Sequence, residues 1–290
     1  MKYRLRHRSS YSYADPVDLS YHLLRLTPRV LPGQRVLDFA VTVEPAPLSQ
    51  DEGQDYFGNG LIYLTIGGAH RSLVIETQAT VDVGFPPPSD PASTPAWEFV
   101  RNVMRAPAGG DDIEAAEFIH ASPLIGPDRA ALAYATQSFP PERPFLEGVL
   151  DLTRRIHQDF TFDPEATIVS TPVEEVMARR RGVCQDFAHV EIAALRSLGL
   201  PARYVSGYIR TYAAQGDSGL IGADASHAWV AVYCPGTGWI GVDPTNDLIA
   251  GEEHILVAWG RDYSDVSPIR GVVLGGGEHR LQIAVEVTPV

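Results

Sequence analysis

The sequence predicts an α+β fold that begins with a small all-β domain, and three observations lead to this prediction. Residues 1–85 alternate apolar and polar positions and contain no sustained helical period. A proline-rich segment follows at residues 86–96, and from residue 97 the apolar positions recur at helical spacing. One well-delimited helix is then followed by several strand-like runs, which is typical of a central helix packed on an antiparallel sheet. We therefore expect a core at residues 97–290.

The N-terminal domain is predicted to consist of strands alone. Residues 2–13 place tyrosine and leucine on one face and arginine on the other, as a half-buried strand does. A second strand is expected at residues 36–43, after the turn at Pro32-Gly33. The runs 61–66 and 73–83 look like an antiparallel pair that turns at Gly67-Gly68.

The core is predicted to begin with helices. A stiff, exposed linker is expected at residues 86–96, because proline restricts the backbone and removes hydrogen-bond donors. Helical periods then follow at 97–104, 113–120, 130–136 and 145–160. Thr171-Pro172-Val173-Glu174 has the pattern of a capping box, and Gly182 is expected to end the helix that it starts.

The next helix is the central one. It is predicted to run from about Cys184 to Leu198 and to stop at Gly199, the residue type that most readily adopts a left-handed conformation. The strand-like runs after it, expected to form one antiparallel sheet, are Ala202–Tyr212, Ala228–Tyr233, Trp239–Val242, Ile255–Trp259 and Leu281–Val287.

Composition excludes several function classes. The net charge of −13 leaves no basic footprint for nucleic acid, and an anionic membrane would repel the average surface. Lys2 is the only lysine, which excludes a P-loop lysine and argues against a Schiff-base lysine. No apolar run reaches 18 residues, and the N-terminus lacks the apolar stretch of a signal peptide. With only two cysteines, we expect a cytoplasmic protein.

Cys184 is the candidate nucleophile. It follows Gly182-Val183 and opens the central helix, where unpaired N–H groups and the positive end of the helix dipole favour a thiolate. His189 lies five residues further along the same helix, about 140° around its axis, and is expected to be a packed core histidine. The other cysteine, Cys234, precedes a Pro-Gly turn and is expected to have no role.

His227 and Asp243 are the candidate base and its orienting acid. His227 lies at the start of an apolar strand, and Asp243 ends the next strand-like run, 16 residues further on. Because a short turn at 235–238 joins the two runs, they can pair in antiparallel and bring the two side chains together. A cysteine on a helix with a histidine and an aspartate on paired strands forms a workable nucleophile, base and orienter.

Three motifs carrying these residues resemble the bacterial transglutaminase-like proteins. They are Gly182-Val183-Cys184-Gln185-Asp186-Phe187-Ala188-His189, Arg203-Tyr204-Val205-Ser206-Gly207-Tyr208, and His227-Ala228-Trp229 followed by Asp243-Pro244-Thr245-Asn246. Residues 1–85 are similar to the β-rich region that precedes the core of that family, and residues 260–268 resemble its C-terminal part.

The resemblance implies a papain-like core and acyl transfer from an amide through a thioester. It assigns Cys184 as nucleophile, His227 as base and Asp243 as orienting acid. The expected substrate is a protein or peptide amide, and the acceptor is an amine, as in a transglutaminase, or water, as in an amidase or cysteine protease. No cofactor or metal is expected, since the sequence has no EF-hand type of acidic loop.

Other interpretations stay open at this point. Tyr208 and Trp229 are candidate substrate-binding residues because of their motif positions, although aromatic side chains in strands are often core. Cys184, His227 and Asp243 could instead hold a structural zinc, but a fourth ligand and a Cys-x-x-Cys spacing are missing. A third possibility is a non-catalytic binding module that retains the cleft.

Overall fold

The computed structural model of the protein describes residues 1–86, 90–211, 220–222 and 225–290. The first part of the chain forms four strands of one antiparallel sheet. These strands are β1 (Lys2–Leu24), β2 (Gln34–Glu44), β3 (Ser49–Gln54) and β4 (Gly60–Val83). β1 pairs with β4 along most of its length, and β2 and β3 pair with β4. The all-β character predicted for residues 1–85 is confirmed.

The predicted hairpin between residues 61–66 and 73–83 is wrong, because both runs belong to the single strand β4. Gly67 pairs with Leu19 and His70 pairs with Val17, so the chain continues through the two glycines without reversing. The register shifts there, and Gly68 has a φ of +84°. The glycine pair therefore marks an irregularity of the kind seen in β-bulges, which uses the same conformational freedom as a turn.

The helices predicted after the linker are confirmed, with small shifts. They are α1 (Trp97–Arg105), α2 (Asp111–Ala116), α3 (Arg129–Ala135) and α4 (Phe145–Asp159). The run 113–120 is divided between α2 and a 3₁₀ turn at Glu117–Ile119. Within the predicted linker, residues 87–89 lie outside the described residues, and Pro91–Ser93 forms a 3₁₀ turn.

The segment before Cys184 contains β5 (Thr161–Phe162), α5 (Val173–Arg179) and β6 (Arg181–Gly182). The predicted capping box is wrong: α5 begins at Val173, and the Thr171 hydroxyl accepts the backbone N–H of Ile168. α5 also ends earlier than expected, at Arg179, and the next residue, Arg180, has a φ of +55°. Gly182 instead pairs with Phe162, which aligns the chain for the next helix.

The central helix α6 (Cys184–Ser197) matches the prediction, with Gly199 behind it at a φ of +77°. It packs on a five-stranded antiparallel sheet in the order β10-β9-β8-β7-β11. These strands are β7 (Ala202–Ile209), β8 (His227–Cys234), β9 (Gly238–Asp243), β10 (Leu248–Ile249) and β11 (His254–Gly260). Tyr212, the predicted end of the first run, lies outside the described residues.

The end of the chain returns to the N-terminal sheet. After the short helix α7 (Tyr263–Val266), the strands β12 (Ile269–Gly275) and β13 (His279–Pro289) both pair with β1. The predicted strand at residues 281–287 therefore exists but joins a different sheet from the one expected. Its alternating pattern specifies an inner and an outer face and carries no information about the partner strand.

The two sheets share one hydrophobic core. Tyr3 and Leu5 of β1 and Val287 of β13 belong to the same buried cluster as the apolar face of α6. Hydrogen bonds also join the two sheets. The side-chain amide of Gln34 donates to the backbone carbonyl of Leu256 and accepts the backbone N–H of the same residue. None of the described helices combines the length and apolar content that a membrane crossing requires.

Candidate active site

Cys184 is the first residue of α6 and is partly exposed. The backbone N–H of Val183 and the hydroxyl of Thr167 both donate to Oδ2 of Asp186, at 2.8 and 2.6 Å. This carboxylate therefore caps the helix from inside its first turn. A Cβ at Gly182 would lie 2.5 Å from the same oxygen, so only glycine leaves room for the cap. Asp186 was not singled out from the sequence, although it occupies the acidic position of a capping box.

His227 and Asp243 lie side by side, as the spacing predicts. His227 Nε2 lies 2.8 Å from Asp243 Oδ2, and both side chains are fully buried. β8 and β9 pair directly next to them, with Val230 opposite Val242. The antiparallel register thus brings the start of one strand next to the end of the other.

Both oxygens of the Asp243 carboxylate accept hydrogen bonds. Oδ1 accepts the backbone N–H groups of Thr245 and Asn246, and Oδ2 also accepts the Asn246 side-chain amide at 2.8 Å. His254 Nε2 lies 3.3 Å from the same Oδ2. Burial alone would raise the pKa of Asp243, but the two histidines outweigh it and lower that pKa strongly. The side chain is therefore a carboxylate at neutral pH.

His254 and Asn246 are the contacts that sequence reasoning missed. Asn246 stands within the motif that begins at Asp243, which is the signal that could have found it. His254 has no such signal, because it reaches Asp243 from β11, the opposite edge of the sheet.

The second ring nitrogen of His227 is available to the thiol. Among the described residues Nδ1 has no hydrogen-bond partner that satisfies ordinary geometry, and Cys184 is, besides Asp243, an ionisable group that interacts with this ring. Burial opposes the charged imidazolium, but Asp243 and Cys184 outweigh it and raise the pKa of His227.

Gly222 borders the same nitrogen. A Cβ at this position would lie 2.8 Å from His227 Nδ1, and the φ of Gly222 is +92°. The preceding residue is held in place by Asn246, whose Oδ1 accepts the backbone N–H of Ile221 at 2.8 Å. Glycine at this position therefore keeps the space between the chain and the imidazole open.

A cleft of about 400 Å³ opens beside Cys184 and His227. Apart from Cys184 and His227, none of its described lining residues has an ionised side chain at neutral pH. Such a surface suits an uncharged group, because burying an unpaired charge against it would be costly. The apolar and aromatic lining comes from Phe162, Pro164, Val183, Tyr204 and Tyr263, and the neutral polar lining comes from Gln185, Ser206 and Ser226.

Tyr208 and Trp229, the candidate substrate-binding residues, do not line this cleft. Tyr208 is 1 % exposed, and its hydroxyl hydrogen-bonds His7 Nδ1 at 2.8 Å. Trp229 is 2 % exposed and packs on both His227 and His254, with ring centroids 6.2 and 5.2 Å away. Both aromatic rings are occupied by contacts inside the protein, which the local strand pattern did not reveal.

The structure confirms His189 as a packed core histidine. Its Nε2 accepts the backbone N–H of Tyr263 at 3.2 Å, and its ring packs on Tyr204. Burial lowers the pKa of His189 to about 4, so the ring is neutral and can accept this bond. His189 thereby supports two residues that line the cleft.

Metal-binding geometry is absent from the described parts of the chain. No group of three or more histidine, cysteine, aspartate or glutamate side chains in them is arranged to hold a metal ion. The described residues thus offer no support for the zinc alternative.

This fold and this arrangement of side chains define a class, the papain-like proteins with a transglutaminase-like core. Residues 3–82 match the family model of the bacterial transglutaminase-like N-terminal region, and residues 133–244 match that of the transglutaminase-like superfamily. The chain belongs to the transglutaminase-like superfamily.

Relatives extend over the whole chain. An uncharacterized protein of Mycobacterium tuberculosis is 41% identical, with 99% of this chain and 93% of that protein aligned. A protein-glutamine gamma-glutamyltransferase of Pseudomonas aeruginosa is 35% identical over 97 residues, which cover 32% of this chain and 14% of that enzyme. Among solved structures, a candidate cysteine protease from Cytophaga hutchinsonii superposes with a TM-score of 0.77 at 22% identity, covering 99% of this chain and 90% of that one. This last likeness concerns the fold.

Proposed function

We propose that the protein is a cysteine-dependent acyltransferase or amide hydrolase. The observation that carries the proposal is His227, whose buried imidazole lies between the Asp243 carboxylate and the sulfur of Cys184 at the mouth of a cleft. Nucleophile, base and orienting acid in this order are the three parts that thiol acyl transfer requires.

The first half of the reaction forms the thioester. The Cys184 thiolate attacks the carbonyl carbon of an amide, and the C–N bond breaks as the His227 imidazolium gives its proton to the departing nitrogen. The backbone N–H of Cys184, in the first turn of α6, is a candidate donor to the developing oxyanion. Asp243 keeps the imidazole in the orientation and tautomer that the proton transfer needs.

The second half releases the acyl group. Neutral His227 takes a proton from the incoming amine or water, which attacks the thioester carbonyl and expels the Cys184 thiolate. An amine gives a new amide, and water gives a carboxylic acid. Since Lys2 is the only lysine, the protein itself is a poor amine acceptor, and we expect another protein, a small amine or water to serve.

The uncharged lining of the cleft supports a protein or peptide amide as acyl donor, with a glutamine side chain as the first candidate. The Pseudomonas aeruginosa relative is named for action on protein glutamine, and the Cytophaga hutchinsonii structure for proteolysis. Amidase or protease activity of the same site is therefore the second candidate. Absence of nucleic-acid and membrane partners, and a cytoplasmic location, stay predictions from the charge and the composition.

The experiment that separates these activities is incubation with a glutamine-containing peptide, with and without a primary amine. Incorporation of the amine with release of ammonia supports the transglutaminase. Ammonia release without incorporation, or cleavage of the peptide, supports the hydrolase. No acyl transfer to either acceptor from a panel of peptides would contradict the proposal and favour a binding module.

Thiol reactivity offers a second test, which needs no substrate. At pH 6 a disulfide reagent should label Cys184 ahead of Cys234, roughly tenfold or more faster. Cys234 is 0 % exposed, and burial raises the pKa of its thiol. Peptide mapping by mass after an early quench measures both rates.

Because burial alone could protect Cys234, the matched control compares Cys184 with itself. The variant His227→Ala removes the imidazolium, so labelling of Cys184 should slow markedly at pH 6. Equal rates at Cys184 in the two proteins, with the fold intact, would contradict the activated thiolate.

A further inference from the structure

Asp243 binds two histidines through one oxygen atom. Oδ2 lies 2.8 Å from His227 Nε2 and 3.3 Å from His254 Nε2, and all three side chains are buried. The roles proposed for Cys184, His227 and Asp243 account for the first contact only. His254 comes from β11, whereas His227 and Asp243 come from β8 and β9.

The contacts of His254 determine which nitrogen carries its proton. The backbone N–H of Gly251 points to His254 Nδ1 at 3.4 Å, so Nδ1 accepts and Nε2 holds the hydrogen that faces Asp243. The ring lies edge-on to Trp229, with an interplanar angle of 79°. Pairing of His254 with Ile209 anchors its backbone in the sheet. The second imidazole is thus held as a donor to Asp243.

The Asn246 amide also donates to Oδ2, so the two histidines and this amide compete for the charge of one carboxylate oxygen. A carboxylate oxygen that already accepts one hydrogen bond attracts the next donor less strongly, since each bond withdraws electron density. The hydrogen bond from His254 therefore reduces the extent to which Asp243 stabilises the protonated form of His227. Two further ionisable groups, Cys184 and Glu191, both on α6, also act on this assembly, and Asp247 acts on Glu191.

We propose that His254 is a positioning residue, which shares Asp243 Oδ2 with His227 and so sets how strongly His227 holds its proton. This inference rests on the proposed function, in which His227 must give that proton to the leaving group and take another from the acceptor. A histidine that holds its proton too firmly is a poor base for the second step.

The test is a histidine NMR titration of three proteins with isotope-labelled histidine, namely wild type, His254→Phe and His254→Gln. Phenylalanine keeps the aromatic contact with Trp229 and removes the donor, whereas the glutamine amide keeps a donor at similar reach. The signal of His227 is assigned by its loss in His227→Ala. We expect the titration of His227 to move up by about half a pH unit or more in His254→Phe. In His254→Gln it should stay close to wild type.

An unchanged titration in His254→Phe, or equal shifts in both variants, would overturn the inference. His254→Leu gives the same test if the phenylalanine ring is not accommodated. The values of kcat/KM, measured in parallel, separate this outcome from failure of the proposed function. If wild type transfers no acyl group, the function fails, whatever the titration shows. If wild type is active and the titration does not move, the inference alone fails.

Discussion

The variant Cys184→Ala should lose acyl transfer completely and keep its fold. The second cysteine of the sequence, Cys234, does not line the cleft, so no other thiol can form the proposed thioester, and we expect kcat/KM to fall by at least about 10⁴-fold. One small, partly exposed side chain is removed, so the free energy of unfolding should change by no more than about 1–2 kcal/mol. Activity assays and thermal unfolding of the same preparation measure the two effects.

Cys234→Ala is the matched control. It removes the same atoms from a fully buried site in β8, so it should cost more stability than Cys184→Ala while keeping activity. Full activity in Cys184→Ala would end the proposal of cysteine-dependent acyl transfer.

Glu191→Gln should flatten the dependence of stability on pH. Glu191 lies on α6, 0 % exposed, and its Oε1 is 2.6 Å from the Thr153 hydroxyl. That hydroxyl donates to the backbone carbonyl of Val149, so the proton between the two side chains belongs to the carboxylic acid. Burial raises the pKa of Glu191 to about 8, and the negative charge of the Asp243 carboxylate adds to this shift.

The direction in which stability changes with pH follows from the number of protons that the folded and unfolded states bind. The pKa of Glu191 is about 8 in the folded protein and close to 4.5 in the unfolded chain. Between these pH values the folded state holds one more proton than the unfolded state, so this residue makes the folded state less stable as pH rises. The contribution lost between about pH 4.5 and pH 8 is about 3–5 kcal/mol.

Glutamine cannot ionise, and its amide can donate to the Thr153 hydroxyl in place of the acid. Urea unfolding at pH 5, 6.5 and 8.5 should therefore show a smaller loss of stability in Glu191→Gln than in wild type. Glu165→Gln, at an exposed position, is the control and should follow wild type. Parallel curves for wild type and Glu191→Gln would mean that Glu191 is ionised in the folded protein.

Much of the candidate site could be predicted because local rules govern it. Cys184 begins a helix after a glycine and Gly199 ends that helix, and both boundaries depend on backbone hydrogen bonds within a few residues. His227 and Asp243 lie together because a short turn joins β8 to β9, and two strands joined in this way pair in antiparallel.

The walls of the cleft could not be predicted in the same way. Tyr204, Ser206 and Tyr208 alternate along β7, and their pattern gives no reason to choose among them. Tyr204 and Ser206 line the cleft, whereas His7 of the N-terminal sheet binds the Tyr208 hydroxyl. Tyr208 thus differs from the other two residues through its contact with His7, which is 201 positions away in the sequence and so lies outside any local pattern.

The amino-acid sequence by itself thus determined the α+β class, the limits of the central helix α6 and the pairing of His227 with Asp243. Only the tertiary structure decided that β13 returns to the N-terminal sheet and that His254 reaches Asp243 from β11. The physical reason is the range of the forces involved. Helix ends and short turns are set by neighbouring residues, whereas strand partners and buried polar contacts depend on how distant surfaces pack together.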